Sequence, residues 1–124
     1  EEMTVLITGD MSFSYDVNGL SSTYLSPRFK IIVMCNGGGG IFRFIKPTSD
    51  LPELETCFEI HRDISVEKYA DLFGLRYFEL NDEKSAAEVL SLFFAEKDRP
   101  AILAVHTPNV YNAEVLRGYF RRSR

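Results

Sequence analysis

Two apolar runs of strand length, Met3-Thr4-Val5-Leu6-Ile7 and Ile31-Ile32-Val33-Met34, stand either side of a stretch with a different rhythm. There Phe13, Val17, Leu20 and Tyr24 recur at i, i+4, i+7 and i+11, which lines one face of a helix. Neither run alternates apolar with polar residues, so each reads as a strand covered on both faces, as in parallel sheets. Thr8-Gly9-Asp10 ends the first strand, Asp10 or Ser12 can cap the helix, and Pro27 lies beyond its end. Strand, helix and second strand, the last from Phe29 to Cys35, fit within about 33 residues and predict a right-handed parallel crossover.

The second strand runs into Asn36 and four glycines, Gly37 to Gly40. Ligands of open α/β sheets bind at the carboxyl ends of strands, which makes this loop a candidate site. Ile41-Phe42-Arg43-Phe44-Ile45 reads as one helical turn. Lys46 to Asp63 has two prolines, several acidic residues and no clear period, as expected of a lid or an interface loop. Regularity returns at Ser65, where Val66, Tyr69, Ala70 and Phe73 give a helix ended by Gly74. Leu75 to Leu80 reads as a strand. Asn81 or Asp82 caps a helix with Ala86, Val89, Leu90 and Phe93 inward, and its neighbouring Phe93 and Phe94 cannot both face a core. A strand Ile102 to Val105 follows, then a helix after Thr107-Pro108 with Val115, Leu116, Tyr119 and Phe120 on one side. The alternation predicts one α/β domain over residues 1–124, a doubly wound, mostly parallel sheet with helices on both faces.

A chain of 124 residues, 45% hydrophobic and 26% charged, has enough apolar material for one real core. The net charge of -4, with Arg121, Arg122 and Arg124 as the one basic cluster, argues against a nucleic-acid partner. No apolar run reaches the roughly 20 residues of a membrane-spanning helix, and a cytoplasmic protein is the expectation. Cys35 and Cys57 have no metal spacing and are expected as reduced thiols. The chain opens Glu1-Glu2-Met3 and enters a strand at once, so we expect a piece of a longer polypeptide.

Asp10 and Asn36 offer hard oxygen ligands at two successive strand ends, 26 positions apart. Mg²⁺ takes a few such ligands from protein and the remainder from phosphate and water. A backbone carbonyl of the glycine run, Gly38 first among them, can supply a third, because glycine lets backbone approach a ligand closely. The helix near Ser12 would aim N–H groups at the same anion. Turn and cap chemistry accounts for either piece taken alone.

Gly9-Asp10 followed by Asn36 resembles the signature of thiamine-diphosphate enzymes. More narrowly, GDMSFSYDVNGL, IIVMCNGGGGIF and the later VEKYADLFGLRY are similar to the 2-succinyl-5-enolpyruvyl-6-hydroxy-3-cyclohexene-1-carboxylate synthases of menaquinone biosynthesis, in their C-terminal, diphosphate-binding domain. The strand ending Val105-His106-Thr107 extends the resemblance over essentially the whole chain. It implies thiamine diphosphate and Mg²⁺ or Mn²⁺ as cofactors, decarboxylation of 2-oxoglutarate, and addition of the resulting carbanion to isochorismate. It further implies that Asp10, Asn36 and the Gly38 carbonyl hold the metal, with the backbone around Met11 and Ser12 at the diphosphate and Gly39 also among the cofactor-binding residues. Ile41 would border the cofactor, and Ile41, Phe42 and Ile45 the substrate. Met11 replaces the third glycine of the general signature, in keeping with the narrower family. Cys35 stands where an asparagine is common and removes a hydrogen-bonding side chain without replacing a ligand. A partner pyrimidine-binding domain would bring the activating glutamate. Glu53, Glu55 and Glu59 have no claim to that role, so no catalytic residue is assigned in this chain, which is expected to be inactive alone and part of a homo-oligomer when full length. Another thiamine-diphosphate decarboxylase or acetohydroxyacid synthase relative, or a non-catalytic α/β module, are the alternatives.

His106, at a strand's carboxyl end, and His61, at the end of the irregular loop, are further candidates, set against simple local hydrogen bonding. Arg43 could meet a substrate carboxylate, Lys46 shares that ambiguity, and Tyr15 and Asp16 could line a subunit contact.

Overall fold

The computed structural model describes residues 2–59 and 64–122. Among these, four strands form one all-parallel sheet in the order β1-β2-β4-β3: β1 Thr4–Gly9, β2 Phe29–Cys35, β3 Arg76–Leu80 and β4 Ala101–His106. The helices are α1 Asp10–Asp16, α2 Val66–Phe73, α3 Ala86–Ala95 and α4 Asn109–Arg122. Two compact units result. The first is Glu1–Cys35 with Ile64–His106, and the second is Asn36–Asp63 with Thr107–Arg124.

The first unit holds the sheet, and the strand periodicity of two explains how both its faces are filled. Ile31, Val33, Ile102 and Ala104 pack with Phe13 of α1 and Val66 and Ala70 of α2. Ala101 and Leu103 point the other way and pack with Phe93 of α3, with Ile32 and Val105 alongside. The doubly wound α/β architecture expected of the alternating pattern is therefore the one adopted. The predicted punctuation also holds. Ser65 Oγ accepts from Lys68 N–H at the start of α2, and Gly74 ends that helix at φ +69°. Asp82 accepts from Lys84 and Ser85 N–H, opening a 3₁₀ turn that leads into α3. Phe93 is buried and Phe94 is 38% exposed.

Two expectations need correction. The first helix stops at Asp16 and continues as a 3₁₀ turn over Val17–Ser21, leaving Tyr24 outside it and 94% exposed. Val17, Asn18 and Gly19 are poor helix formers in succession, and Ser21 Oγ donates to the Asn18 carbonyl at 2.7 Å. Secondly, β1 is not covered on both faces. It pairs with β2 along one edge, Ile7 is 67% exposed, and a groove lined by Leu6, Phe13, Val17 and Leu25 opens beside it. A continuous apolar run records hydrophobicity but not which faces are filled. The four apolar residues expected on one side of α4, Val115, Leu116, Tyr119 and Phe120, are exposed, whereas Ala113 is buried.

Lys30 is fully buried in a strand otherwise apolar. Its Nζ donates to the carbonyls of Pro27 at 3.0 Å and Glu96 at 2.7 Å, tying the turn before β2 to the end of α3. Burial lowers its pKa, and the nearby Glu96 carboxylate opposes that shift.

The second unit contains α4 and a series of short turns. The described part of the stretch after Lys46 is structured, with a 3₁₀ turn at Thr48–Asp50 and a π-turn at Leu54–Phe58 closed by Glu59 N–H on the Leu54 carbonyl. Among the described residues no helix is long and apolar enough to cross a membrane.

Candidate functional site at the strand ends

In the first unit, Asp10 follows β1 directly as the first residue of α1 and is 4% exposed. Its Oδ1 accepts from Met11 N–H at 2.8 Å, which engages one of the helix's orphan donors. Gly9, extended at φ -83°, takes the cap position, and Ser12 is exposed. The neighbouring Cys35 at the end of β2 is half-buried with its Sγ 3.6 Å from the Val33 carbonyl. Burial above all, then the charges of Asp10 and Glu79, push its thiol up to about 11, against a weaker lowering from the Val105 backbone. Burial thus favours the neutral thiol over the more nucleophilic thiolate. Cys57 is exposed. Iodoacetamide at pH 8 is therefore expected to label Cys57 in the folded protein and to spare Cys35, as peptide mass analysis would show. The raised pKa also sets a stability window. Stability from Cys35 is full below the unfolded value near 9 and is lost as pH rises through about 11, so Cys35→Ala should flatten the alkaline decline there.

In the second unit, Gly37, Gly38 and Gly39 take φ of +82°, +84° and +68° in succession, a left-handed path that glycine follows at no steric cost. Asn36 Oδ1 accepts from Gly38 N–H at 3.1 Å, and the Gly38 carbonyl accepts from Asn109 Nδ2 at 3.1 Å. Both peptide groups of Gly38 are therefore fixed by asparagine amides. Gly39 and Gly40 have no room for a side chain. A Cβ on Gly39 would lie 2.6 Å from the Glu59 Cα and the Phe58 carbonyl, and one on Gly40 would lie 2.4 Å from Asn109 Oδ1 and 2.8 Å from Asn36 Nδ2. The loop's backbone is thus closed in by its own unit.

Past the glycines a 3₁₀ turn at Gly40–Arg43 leaves Ile41 60% exposed, with Ile45 also exposed just beyond it. Phe42 instead packs on Phe58, ring centroids 5.3 Å apart. Arg43 does not wait for a substrate carboxylate. Its Nη2 donates to Glu59 Oε2 at 2.6 Å and to Glu55 Oε1 at 2.9 Å, and its Nε faces the other Glu59 oxygen. Glu59 is fully buried, and Arg117 Nη2 donates to the Arg43 carbonyl at 2.6 Å. These carboxylates raise the Arg43 pKa further above its ordinary value. Lys46 is exposed. His106, in the first unit, pairs with Glu79 at 3.0 Å, and Glu79 also takes the Tyr77 hydroxyl, whose pKa burial raises. His61 lies outside the described residues.

Sequence reasoning missed Asn109. Its signal was available as an asparagine directly after Thr107-Pro108, where a helix begins. Among the described residues no cluster of three His, Cys, Asp or Glu side chains forms a metal site. The candidate donors are of another kind, one carboxylate, one amide oxygen and one backbone carbonyl.

No protein-family model matches the chain. Among curated proteins it is 49% identical over 117 residues to the 2-succinyl-5-enolpyruvyl-6-hydroxy-3-cyclohexene-1-carboxylate synthase of Porphyromonas gingivalis, in an alignment covering 94% of this chain and 20% of that protein. Synthases of the same name from Flavobacterium johnsoniae and Christiangramia forsetii are 40% and 37% identical, over 94% and 97% of this chain and 21% of each relative. The chain thus resembles these synthases along almost its whole length and spans about a fifth of theirs.

Proposed function

We propose that this chain is the diphosphate- and metal-holding part of a thiamine-diphosphate-dependent carboligase of menaquinone biosynthesis, acting in the cytoplasm on 2-oxoglutarate and isochorismate. The observation that carries the reading is the 49% identity over 117 residues, an alignment too long to leave out the stretch from Asp10 to Gly40. The donor chemistry fits the group. Asp10, Asn36 and the Gly38 carbonyl are hard oxygen ligands of the kind Mg²⁺ or Mn²⁺ prefers, and such a cation takes its remaining oxygens from diphosphate and water.

In this reading Asp10, Asn36 and Gly38 hold the cation, the backbone around Met11 and Ser12 meets the diphosphate, and Gly39 is a further cofactor-binding residue. Thiamine diphosphate, when bound, supplies the carbanion-stabilising ring. The exposed Ile41 and Ile45 present apolar surface that excludes water from the reacting groups, and Phe42, held against Phe58, backs them. Glu55 and Glu59 are committed to Arg43 and are unsuited to activate the cofactor. The activating carboxylate would come from a pyrimidine-binding domain elsewhere in a longer polypeptide, so the 124-residue chain alone is expected to be inactive.

The test is calorimetry of the full polypeptide with thiamine diphosphate and Mg²⁺. Asp10→Ala removes the one charged ligand and should cost more than about 1.4 kcal/mol, hence over tenfold in affinity, with the circular dichroism unchanged. Equal binding by wild type and Asp10→Ala would reject the assignment.

A further inference from the structure

Asn109 reaches across 71 positions of sequence to the Gly38 carbonyl, and we propose that it is a positioning residue that aims this carbonyl at the cation. The inference rests on the functional reading above. A backbone carbonyl has two lone pairs. Asn109 Nδ2 occupies one at 3.1 Å, which holds the peptide plane and leaves the second for a metal ion. The N–H of the same residue is held by Asn36 Oδ1, so the Gly38 backbone is clamped on both sides. Free glycine backbone at φ +84° would otherwise have many orientations open to it.

The orientation of the Asn109 amide follows from the same contacts. Reversed, it would set oxygen against the Gly38 carbonyl oxygen. As it stands, Asn109 Oδ1 is buried with no hydrogen-bond partner. Leaving a buried acceptor unsatisfied is costly, and the arrangement tolerates it to keep the donor on Gly38. Gly40 makes this possible, since a Cβ there would sit 2.4 Å from that oxygen. Asn109 is also the first residue of α4, so the helix carries the clamp to the loop.

The experiment measures Mn²⁺ affinity of the full polypeptide with thiamine diphosphate by electron paramagnetic resonance, for wild type, Asn109→Asp, Asn109→Ala and Asp10→Ala. Asn109→Asp keeps the shape and loses the donor while adding negative charge. A positioning role predicts that it binds Mn²⁺ about tenfold more weakly than wild type, the usual effect of losing an outer-shell partner, and that Asn109→Ala does the same. The metal-free melting temperatures should stay within a few degrees of wild type. Tighter binding by Asn109→Asp would make Asn109 an electrostatic or direct ligand, and unchanged binding would make its role merely structural. Either result overturns the inference while Asp10→Ala still loses the metal. Absence of Mn²⁺ binding by wild type overturns the functional reading and this inference together.

Discussion

Gly39→Ala is expected to destabilise the protein by about 3 kcal/mol or more, from two separable causes. Gly39 sits at φ +68°, where an L-residue pays about 1–2 kcal/mol for its Cβ. The Cβ would also lie 2.6 Å from the Glu59 Cα and the Phe58 carbonyl. Both are backbone atoms that no rotamer change can remove, so the π-turn over Leu54–Phe58 must shift, and overpacking of that kind costs about 1–3 kcal/mol. Two other glycines separate the causes. Gly74 has φ +69° with nothing within 4 Å of a Cβ, so Gly74→Ala should show the backbone cost alone. Gly19 has neither constraint, and Gly19→Ala should be nearly neutral. Urea unfolding of the three variants gives the series, and equal losses at Gly39 and Gly74 would show that the Glu59 backbone yields freely.

Arg43→Ala should cost about 3–5 kcal/mol, because it leaves the Glu59 carboxylate buried without its cation. The Glu59 side chain has no exposed surface and the Arg43 side chain only 18%, so water cannot take over the lost interaction. Glu55 is 69% exposed at its side chain, and Glu55→Ala should change stability by less than about 1 kcal/mol. The double variant Arg43→Met/Glu59→Leu removes both buried charges and should recover most of the loss, since apolar replacement of a buried pair is often neutral. Failure of that recovery, measured in the same unfolding experiment, would mean that the Arg43 side chain contributes through its packing in the turn rather than through Glu59, the Arg117 bond being to the main-chain carbonyl that every variant keeps.

These two residues mark where sequence reading stopped. The Gly37–Gly40 run announced a loop with unusual backbone, and Ser65, Gly74 and Asp82 announced helix ends, because capping and positive φ depend on the residue itself and its nearest neighbours. Arg43 and Glu59, 16 residues apart in a segment without a period, carried no comparable sign of pairing. Lys30 lay inside an apolar strand, and only the approach of the Pro27 and Glu96 carbonyls explains how its charge is accommodated.

The sequence by itself determined the α/β alternation and the parallel strands and proposed Asp10, Asn36 and Gly38 as ligands, since periodicity, glycine and short motifs act over a few residues. Tertiary structure alone decided that β1 lies at an edge, that the α4 face of Val115, Leu116, Tyr119 and Phe120 is exposed, and that Arg43 is taken by Glu59. It also decided that Asn109 holds the Gly38 carbonyl. Each of those outcomes depends on which atoms from distant parts of the chain arrive at the same place, and a hydrogen bond spanning 71 positions leaves no local pattern from which to read it.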